Sequence, residues 1–417
     1  MTKAAPPIDP LDLTVEQGDL ARALRLVGRA APSRSSLPIL GHVLLDAAPG
    51  RLTLTATDLS LALMAAIPGD VARPGRVALP AELLGNYAAH LPAGAVRLTG
   101  EPDTGRVRAA RGRASARLAA LEASAFPSLP MPDLETALAL DARALRRALA
   151  RAVPAVARDE SRPVLGAILF AVGREGLTLA AADGVRLART WLPARADEDR
   201  QVLVPARAAS EATRLLGDDD TARLVVLPDD RGLWLVAGAA GLYTRLVAGP
   251  FPDVAALIPG EWRTRVTVGR AALLAALRRA ELFGQERPGA RPVVLSAMIG
   301  RLRVGAWGAE LGETDSEIAA DLEGAPERIA LDTRLLVDLL ASVGGGRLAL
   351  SWRGPEGALV VREVGETVGA GDVPRADLWL VMPLHEPQLL RRQIAADGMA
   401  EVEAAGSAAV PLAEPAA

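Results

Sequence analysis

The stretch LPILGHVLLDAAPGRLTLTATDLSLAL, residues 37–63, decides the fold, because parts of it return later in the chain. The residues Pro38-Ile39-Leu40-Gly41 recur as Pro163-Val164-Leu165-Gly166, and Thr57-Asp58 recurs as Ala182-Asp183. In both cases the second copy lies 125 residues after the first. A fixed period of this kind indicates a chain built from similar domains in tandem.

Two further landmarks keep the same spacing. Pro80 is matched by Pro205, and Phe126 is matched by Phe251. The first two copies therefore align over their length with no net insertion or deletion.

A weaker third copy begins at residues 291–295, RPVVL, and its Asp332 stands where the earlier copies have Pro80 and Pro205. We therefore predict three domains. The expected divisions are a disordered lead-in at 1–10, domains at 11–134, 135–260 and 261–387, and a disordered tail at 388–417.

Length and composition agree with several domains. A chain of 417 residues is too long for one hydrophobic core, and 50% hydrophobic residues are enough for a core in each third. A net charge of −3 argues against attachment to nucleic acid through bulk charge, and the absence of cysteine excludes disulfides and thiolate metal sites. No stretch resembles a signal peptide or a membrane helix, so we expect a cytoplasmic protein without a membrane partner.

Apolar periodicity predicts the α+β class. The pattern of strand, helix and three strands occurs twice in each of the first two copies, with turn residues between the strands. The first helices of the three domains are predicted at Glu16–Arg29, Ala142–Val153 and Arg270–Leu282. Units of this kind gather their helices on one face of antiparallel sheets.

The first two of these helices carry stripes of arginine opposite their apolar faces. The stripes are Arg22, Arg25 and Arg29 in one helix, and Arg143, Arg146, Arg147 and Arg151 in the other. A single stripe is explained by a solvated helix face. Two stripes at equivalent positions of a repeat favour a common basic surface, which suits contact with phosphates.

Six short motifs, in this order and spacing, are similar to the bacterial DNA polymerase III beta subunit family, the sliding clamps. They are LPIL at Leu37, LTLTATDL at Leu52, FPSLP at Phe126, DGVRLA at Asp183, FPDVAALIP at Phe251 and LVMP at Leu380, and the resemblance covers residues 11 to 387. It implies three tandem domains of the DNA-clamp topology, with helices on the inner face and antiparallel sheets outside. It also implies that two chains close head to tail into a dimeric ring.

The function implied by this resemblance is topological. A ring around double-stranded DNA tethers the polymerase without tight or sequence-specific binding, so neither catalytic residues nor a cofactor are expected. Arg34 matches a family position that touches DNA, although an ordinary loop residue explains it equally well. The expected DNA-binding residues are Arg22, Arg25, Arg34, Arg143, Arg146 and Arg147.

The resemblance also implies a partner cleft between domains two and three. There, DNA polymerase III, the clamp loader and repair proteins insert a linear peptide with a Gln and a downstream Leu or Phe. The matching positions are Leu165, Ala182, Gly184, Val185, Arg186, Leu187, Pro252, Ala256, Leu257, Leu380, Val381, Met382, Pro383 and Leu384.

Chemically, Leu, Val, Met and Pro form an adaptable apolar pocket. The alternative is that these residues belong to the domain core, which we favour for Val381. The chain departs from the family pattern at Ala182, Val185 and Ala256, where Thr, a polar residue and a basic residue are usual or frequent, so its peptide preference is expected to differ.

The ring-closing surface is expected to pair the end of domain one with domain three. Arg113, Leu118 and the helix end at Leu282 match that surface. Ala116 and Glu281 replace apolar residues expected there, which puts the strength of the dimer in doubt.

Two alternatives remain. An enzyme is not supported, because His42, His90 and His385 are far apart in sequence, and Asp58 and Asp183 are better explained as turn-forming carboxylates. A clamp paralogue or monomeric scaffold that binds peptides without encircling DNA is the main competitor. A further hypothesis concerns the tail, whose Gln388-Leu389-Leu390 resembles a partner peptide and would shield the cleft.

Overall fold

The computed structural model describes residues 8–159, 161–174, 176–196, 198–217, 221–283, 291–308, 311–365 and 377–385. The chain folds into two compact units. Unit 1 comprises Met1–Ala150, Gly166–Leu177 and Leu192–Pro250, and unit 2 comprises Arg151–Leu165, Thr178–Trp191 and Phe251–Ala417. The predicted tail at 388–417, with Gln388-Leu389-Leu390, lies outside the described residues, and the three predicted domain boundaries stay a prediction.

The first copy contains ten strands and two α-helices within the described residues. The strands are β1 (Asp12–Glu16), β2 (His42–Ala48), β3 (Arg51–Thr57), β4 (Leu61–Pro68), β5 (Asp70–Arg73), β6 (Gly75–Pro80), β7 (Ala95–Glu101), β8 (Arg106–Arg111), β9 (Ala114–Ala119) and β10 (Leu121–Glu122). The helices are α1 (Gln17–Val27) and α2 (Ala81–His90).

The second copy repeats this arrangement. Its strands are β11 (Leu138–Asp141), β12 (Ala167–Gly173), β13 (Gly176–Ala182), β14 (Arg186–Leu192), β15 (Arg200–Pro205), β16 (Thr221–Val226), β17 (Gly232–Ala237) and β18 (Ala240–Arg245). Its helices are α3 (Ala142–Ala152), α4 (Ala206–Leu215) and the short α5 (Val254–Leu257).

The third copy completes the described chain. Its strands are β19 (Thr264–Gly269), β20 (Pro292–Met298), β21 (Arg301–Gly308), β22 (Gly312–Gly324), β23 (Arg328–Asp332), β24 (Arg347–Trp352), β25 (Leu359–Glu363) and β26 (Leu378–Val381). Its helices are α6 (Arg270–Ala280) and α7 (Thr333–Ser342). The long strand β22 has no counterpart among the sequence predictions.

The helices form where apolar residues recur at helical spacing. In α1, Leu20, Leu24 and Val27 are buried, as the periodicity predicts, and the helix packs against α2 and strands β3 and β4. In α3, Asp141 caps the first turn by accepting a hydrogen bond from the Ala144 N–H at 2.6 Å. Helices α6 and α7 also pack against each other, as do α1 and α2.

The strands described within each of the two units pair antiparallel. Unit 1 holds a sheet in the order β5-β1-β7-β8-β9 and a second in the order β10-β6-β2-β3-β4-β18-β17-β16-β11, and β15 pairs with β12. Within unit 2 the order is β14-β26-β25-β24-β19-β22-β21-β20-β23.

Main-chain ladders join successive copies of the repeat. Strand β4 of the first copy pairs with β18 of the second, from Leu61 opposite Thr244 to Ala65 opposite Ala240. Strand β14 of the second copy pairs with β26 of the third, over Arg186–Arg189. The first ladder lies within unit 1 and the second within unit 2, so each unit contains one junction between copies.

The landmarks of the repeat have equivalent structures. Both PILG at 38–41 and PVLG at 163–166 form 3-10 turns. Pro80 and Pro205 directly precede α2 and α4, and Asp332 directly precedes α7 and caps it by accepting from the Arg334 N–H at 3.0 Å. The structure therefore confirms the alignment of the third copy at this position.

Asp58 and Asp183 form matching turns. Asp58 Oδ1 accepts hydrogen bonds from the N–H groups of Ser60 at 2.9 Å and Leu61 at 2.8 Å. Asp183 Oδ1 accepts from the N–H groups two and three residues further on, at 3.0 and 2.9 Å. The interpretation of both residues as turn-forming carboxylates is confirmed.

Packing begins before the predicted first domain. The side chain of Ile8 is buried, and Asp9 Oδ2 accepts a hydrogen bond from the Arg76 N–H at 2.8 Å. The last residues of the predicted lead-in at 1–10 are thus part of unit 1, whereas residues 1–7 lie outside the described part of the chain.

Candidate functional site

The structure brings together three of the segments predicted to form the partner cleft, all within unit 2. Strands β14 and β26 place Arg186 opposite Val381 and Leu187 opposite Leu380. The Met382 N–H donates a hydrogen bond to the Val185 carbonyl oxygen at 2.8 Å. The turn at 182–187 and the LVMP segment are therefore held side by side by their backbones.

The third segment, residues 251–258, covers part of the same sheet. Phe251, Val254 and Ile258 pack on an apolar cluster, here defined as Ala182, Leu187, Val360, Leu378 and Leu380. Asp253 caps α5 by accepting from the N–H groups of Ala255 and Ala256 at 2.9 and 3.4 Å. This cap fixes the segment that carries Pro252, Ala256 and Leu257.

Six of the predicted cleft residues present their surface to solvent. Val185, Leu257 and Met382 keep 49%, 51% and 39% of their surface exposed, unusually much for large apolar side chains. We name the exposed set the rim; its members are Gly184, Val185, Pro252, Ala256, Leu257 and Met382. An exposed apolar rim above a packed apolar floor is suited to receive an apolar side chain.

The remaining predicted cleft residues are mostly interior. Leu165, Ala182, Leu187, Leu380 and Pro383 are buried, and Val381 is fully buried, which agrees with the core interpretation of that residue. Their side chains support the rim from below and do not offer contact surface of their own. Sequence resemblance predicted segments that the structure brings together, but it does not distinguish rim from floor.

Arg186 orients the turn beneath the rim. Its Nε donates to Asp183 Oδ2 at 2.8 Å, and its Nη1 donates to Asp338 Oδ2 at 3.4 Å. Leu384 fastens the other end of the site, because it packs against Val294 and Ala330 and its N–H donates to the Ala330 carbonyl at 2.8 Å.

Most of the predicted DNA-binding arginines are exposed. Arg22, Arg25 and Arg34 are exposed in unit 1, and Arg22 forms a surface ion pair with Asp19 at 3.0 Å. In α3, Arg143 and Arg147 are exposed and Arg146 is half-buried. These positions leave the basic helix faces accessible to phosphates.

The predicted arginine stripe of α3 is wrong at Arg151, which is turned inward. It lies among unit 2 side chains, where it forms ion pairs with Glu363 at 2.7 Å and with Asp377, and its guanidinium stacks on Trp379 with 5.6 Å to the ring centroid. Burial raises the pKa of Asp377, although Arg151 and the Trp191 N–H stabilise its charged form. Helical spacing alone does not show that acidic partners more than 200 residues away turn this arginine inward.

A groove that the sequence did not reveal lies between α1 and α2. It has a volume of about 730 Å³ and is lined partly by Arg25, Arg29, Leu83 and Asn86. Arg29 also donates from Nε to Glu211 Oε2 at 2.9 Å. The groove is distinct from the predicted cleft and borders the basic face of α1.

The predicted dimer residues differ in accessibility. Arg113 and Leu282 are exposed, whereas Leu118 is only 2% exposed. On β9, Leu118 alternates with exposed positions and faces inward, so it belongs to the core of unit 1. The burial of this side chain in the single chain contradicts its expected role as an interface contact. Glu281, which replaces an expected apolar residue, forms an ion pair with Arg291 at 2.6 Å.

Among the strands that have an edge without a ladder partner within the described residues, β9 and β22 lie in the two regions expected to close the ring. Strand β9, directly after Arg113, is the last strand of its sheet. Residues 312–319 of β22 pair with β21 on one side only, and β19 pairs further along at 320–324. Such edges are templates for pairing with another chain.

The histidines of unit 1 make local contacts. Nδ1 of His42 lies 2.9 Å from the Pro38 carbonyl oxygen, and burial lowers the pKa of His42. Nδ1 of His90 lies 2.7 Å from the Asn86 carbonyl oxygen.

In the part of the chain that the structure describes, no helix is long and apolar enough to cross a membrane.

Known proteins match all three copies of the repeat. Family models for the N-terminal, central and C-terminal domains of the DNA polymerase III beta subunit match residues 11–130, 139–253 and 255–370. The beta sliding clamp of Synechococcus elongatus is 30% identical over 380 residues, which are 90% of this chain and 99% of that protein. The beta sliding clamp of Caulobacter vibrioides is 29% identical over 359 residues, which are 84% and 95% of the two chains.

Solved structures show the same architecture. The DNA polymerase sliding clamp of Bacillus subtilis matches with a TM-score of 0.84 at 22% identity, over 91% of this chain and 100% of that one. A sliding clamp of Pseudomonas aeruginosa bound to griselimycin matches with a TM-score of 0.82 at 26% identity, over 91% and 100%. The chain belongs to the DNA polymerase III beta subunit family, the beta sliding clamps, whose members are processivity factors and not catalytic enzymes.

Proposed function

We propose that this chain is a DNA sliding clamp, two copies of which close into a ring around duplex DNA and tether the replicative polymerase in the bacterial cytoplasm. The observation that carries the proposal is the pair of arginine-bearing helices, α1 and α3, at equivalent places of a repeat in a protein of net charge −3. Exposed arginines on these helices attract phosphates without reading bases. Weak, non-specific attraction is what a sliding ring requires.

Closure of the ring is proposed to use the open edges of β9 and β22. The first edge is basic and the second acidic: Arg113 and Arg117 lie beside or on β9, and Glu313, Asp315 and Glu317 lie on β22. Opposite charges across an antiparallel pair favour head-to-tail pairing of one copy with the next. Leu282 adds an exposed apolar side chain near the end of α6.

The rim in unit 2 is proposed as the docking site for linear peptides of DNA polymerase III, the clamp loader and repair proteins. A peptide side chain would rest on the apolar cluster beside Val185, Leu257 and Met382. The position occupied by Ala182 is buried and apolar, so this floor offers no hydroxyl to the peptide.

A monomeric scaffold that binds peptides without encircling DNA is the alternative. It is favoured by two observations at the expected interface: Leu118 is buried, and Glu281 forms an ion pair with Arg291 within the same chain. Both reduce the apolar surface available for a stable dimer.

The test combines shape with topology. Small-angle X-ray scattering over a concentration series should give a mass near twice 43.3 kDa and a profile that requires a central hole. Because the chain has no cysteine, cysteines introduced by Ser115→Cys and Thr314→Cys allow the β9 and β22 edges to be cross-linked selectively. The cross-linked dimer should then stay on circular DNA at high salt and leave it when the DNA is cut.

The contrary outcome is a mass near 43.3 kDa at all concentrations together with release from circular and linear DNA alike. That result would favour the scaffold. The variant Arg143→Ala/Arg147→Ala tests the helix lining separately, because it should lower the salt dependence of DNA affinity by about two phosphate contacts.

A further inference from the structure

The exposed turn of the rim is fixed at its backbone on both sides. The Val185 N–H donates a hydrogen bond to Asp183 Oδ1 at 3.0 Å, and the Val185 carbonyl oxygen accepts one from the Met382 N–H at 2.8 Å. Val185 itself keeps 49% of its surface exposed. Because Asp183 holds the turn from within, its carboxylate sets the position of this apolar residue of the rim.

The second oxygen of Asp183 is held by Arg186. Arg186 Nε donates to Asp183 Oδ2 at 2.8 Å, and Nη1 of the same guanidinium donates to Asp338 Oδ2 at 3.4 Å. The side chain of Arg186 is 12% exposed, whereas that of Asp338 is 51% exposed. The guanidinium thus connects the turn, which belongs to the second copy, with helix α7 of the third copy, and both lie in unit 2.

Unit 1 has an acidic residue at the equivalent place. Asp338 is the sixth residue of α7, and Glu211 is the sixth residue of α4. Glu211 forms an ion pair with Arg29 at 2.9 Å, and Asp338 forms one with Arg186. In both units this position of the helix therefore pairs with an arginine of the preceding copy. A contact that recurs at both junctions is a feature of the repeat.

The two junctions differ in how the turn is held. In unit 1, the carboxylate of Asp58 is bound by Arg207, the second residue of α4. In unit 2, Arg334 is the second residue of α7, and it pairs with Asp332 at 3.2 Å. The guanidinium of Arg186 makes both contacts there, one to the turn and one to the helix. A change at the helix end of this guanidinium is therefore transmitted directly to the turn.

We propose that Asp338 is a positioning residue of the peptide cleft. Its carboxylate holds the guanidinium of Arg186 in the place from which Nε binds Asp183, and the turn then presents Val185 in the orientation that a bound peptide contacts. Asp338 acts through Arg186 and does not itself touch the peptide. This inference rests on the proposed peptide-binding function of the rim.

The exposure of Asp338 determines which measurement responds to its removal. A half-exposed carboxylate contributes little to the stability of the fold, because water screens its ion pair. The same contact restricts the rotamers of a long arginine side chain, and a rim that is ordered before binding lowers the entropic cost of peptide binding. Removal of the charge of Asp338 should therefore change peptide affinity more than it changes the free energy of unfolding.

The test measures the affinity of the full chain for a fluorescent peptide that contains a Gln and a downstream Leu and Phe. Asp338→Asn keeps the size of the side chain but removes its charge, and in anisotropy titrations at about 0.05 M salt it should weaken binding about fivefold. Asp338→Glu keeps the carboxylate, as Glu211 does in unit 1, and its affinity should stay within about twofold of that of the unaltered chain. Urea denaturation shows that each variant remains folded.

The matched control is Asp229→Asn. Asp229 is a carboxylate of unit 1 that is 57% exposed and lies 3.9 Å from Arg231, and its substitution changes net charge by the same amount. This variant should bind the peptide as the unaltered chain does. A loss of affinity of the same size in both variants would show that net charge causes it, which contradicts the positioning role of Asp338.

A double-mutant cycle with Arg186→Gln separates positioning from a general structural role. If Asp338 acts through Arg186, Asp338→Asn should cause no further loss of affinity in the Arg186→Gln chain. Loss by the same factor in both backgrounds would contradict the proposal. Hydrogen exchange gives a second readout: the amides of Val185 and Arg186, which donate to Asp183, should exchange faster in Asp338→Asn than in the unaltered chain.

The outcomes distinguish this inference from the proposed cleft. If the unaltered chain binds the peptide and Asp338→Asn binds it equally well, the positioning role is wrong and the cleft stands. If the unaltered chain does not bind the peptide, the cleft is overturned together with the positioning role.

Discussion

Comparison of the two copies of the repeat reveals backbone strain at Leu59. Leu59 adopts a positive φ of 76°, and the equivalent residue of the second copy, 125 positions later, is Gly184 with φ of 93°. A left-handed conformation costs a residue with a Cβ atom roughly 1 kcal/mol, whereas glycine adopts it freely. The second copy therefore has glycine, the residue that this turn favours, whereas the first copy has leucine.

We predict that Leu59→Gly stabilises unit 1. The side chain is largely exposed, so little burial is lost, and relief of strain should raise the free energy of unfolding by about 0.5 kcal/mol. Urea denaturation measures the change. Gly184→Ala serves as the reciprocal test and should lower stability by about 1 kcal/mol, although no atom lies within 4 Å of the added methyl group. A loss of stability in Leu59→Gly would contradict the strain.

Asp58 makes the stability of unit 1 depend on pH. Burial alone would raise the pKa of Asp58, but hydrogen bonds from Arg207 and from the N–H groups of Leu61 and Ser60 outweigh it and hold the pKa below its usual value. Since the folded pKa is the lower one, the stabilisation is complete above the unfolded pKa of about 4 and is lost as pH falls through the folded value.

Asp58→Asn should therefore destabilise the chain by about 1 kcal/mol at pH near 7, because Arg207 is half exposed and solvent weakens the pair. The turn keeps its acceptor, since an Asn side chain also offers an Oδ1 oxygen. The difference from the unaltered chain, measured in urea at several pH values, should shrink below pH 4 or so. A difference independent of pH would show that the charge of Asp58 contributes nothing.

At the scale of elements, α3 contains two kinds of arginine. Arg151 is enclosed by Asp377, Glu363 and Trp379, whereas Arg147 is exposed four residues earlier on the same helix. Arg151→Ala leaves two carboxylates without their cation and should cost about 3 kcal/mol in urea denaturation. Arg147→Ala should change stability by less than about 0.5 kcal/mol and weaken binding to linear duplex DNA instead. Equal effects of both variants on stability would place Arg151 in the solvated stripe.

The sequence predicted elements best where a local pattern is strong. The helix starting near Gln17 was predicted at Glu16–Arg29 and ends two residues earlier as an α-helix, because residues 28–30 tighten into a 3-10 turn. The strand β22 and the short α5 were missed, since neither has a long apolar period.

The candidate site could be found only in part. Resemblance predicted the segments around Gly184, Pro252 and Met382, which the structure brings together. The burial of Leu118 and Pro383 follows from strand orientation and packing, which the sequence alone does not show. The shared sheet face of Arg189, Arg265 and Arg362 was missed for a similar reason: these residues are separated by up to 173 residues and are brought to one face only by strand register.

At the scale of the molecule, charge on the open edge of β9 should control association. Arg113 is exposed at the start of this edge, and the proposed partner edge on β22 carries alternating acidic residues. Arg113→Glu places like charges opposite each other and should weaken the dimer about tenfold. Sedimentation over a concentration series measures the effect. Arg231→Glu is the control of equal charge change, because Arg231 is exposed and lies 3.9 Å from Asp229. Unchanged association of Arg113→Glu would move the interface away from β9.

The backbone ladders that join β4 to β18 and β14 to β26 have a consequence for evolution. Main-chain hydrogen bonds do not depend on which side chains the strands carry, so these joints survive substitution at nearly every position. A relative with 22% identity can thus keep a TM-score of 0.84. What natural selection must preserve at these joints is the ability of the strands to stay extended and to pair, a demand that many different combinations of residues satisfy.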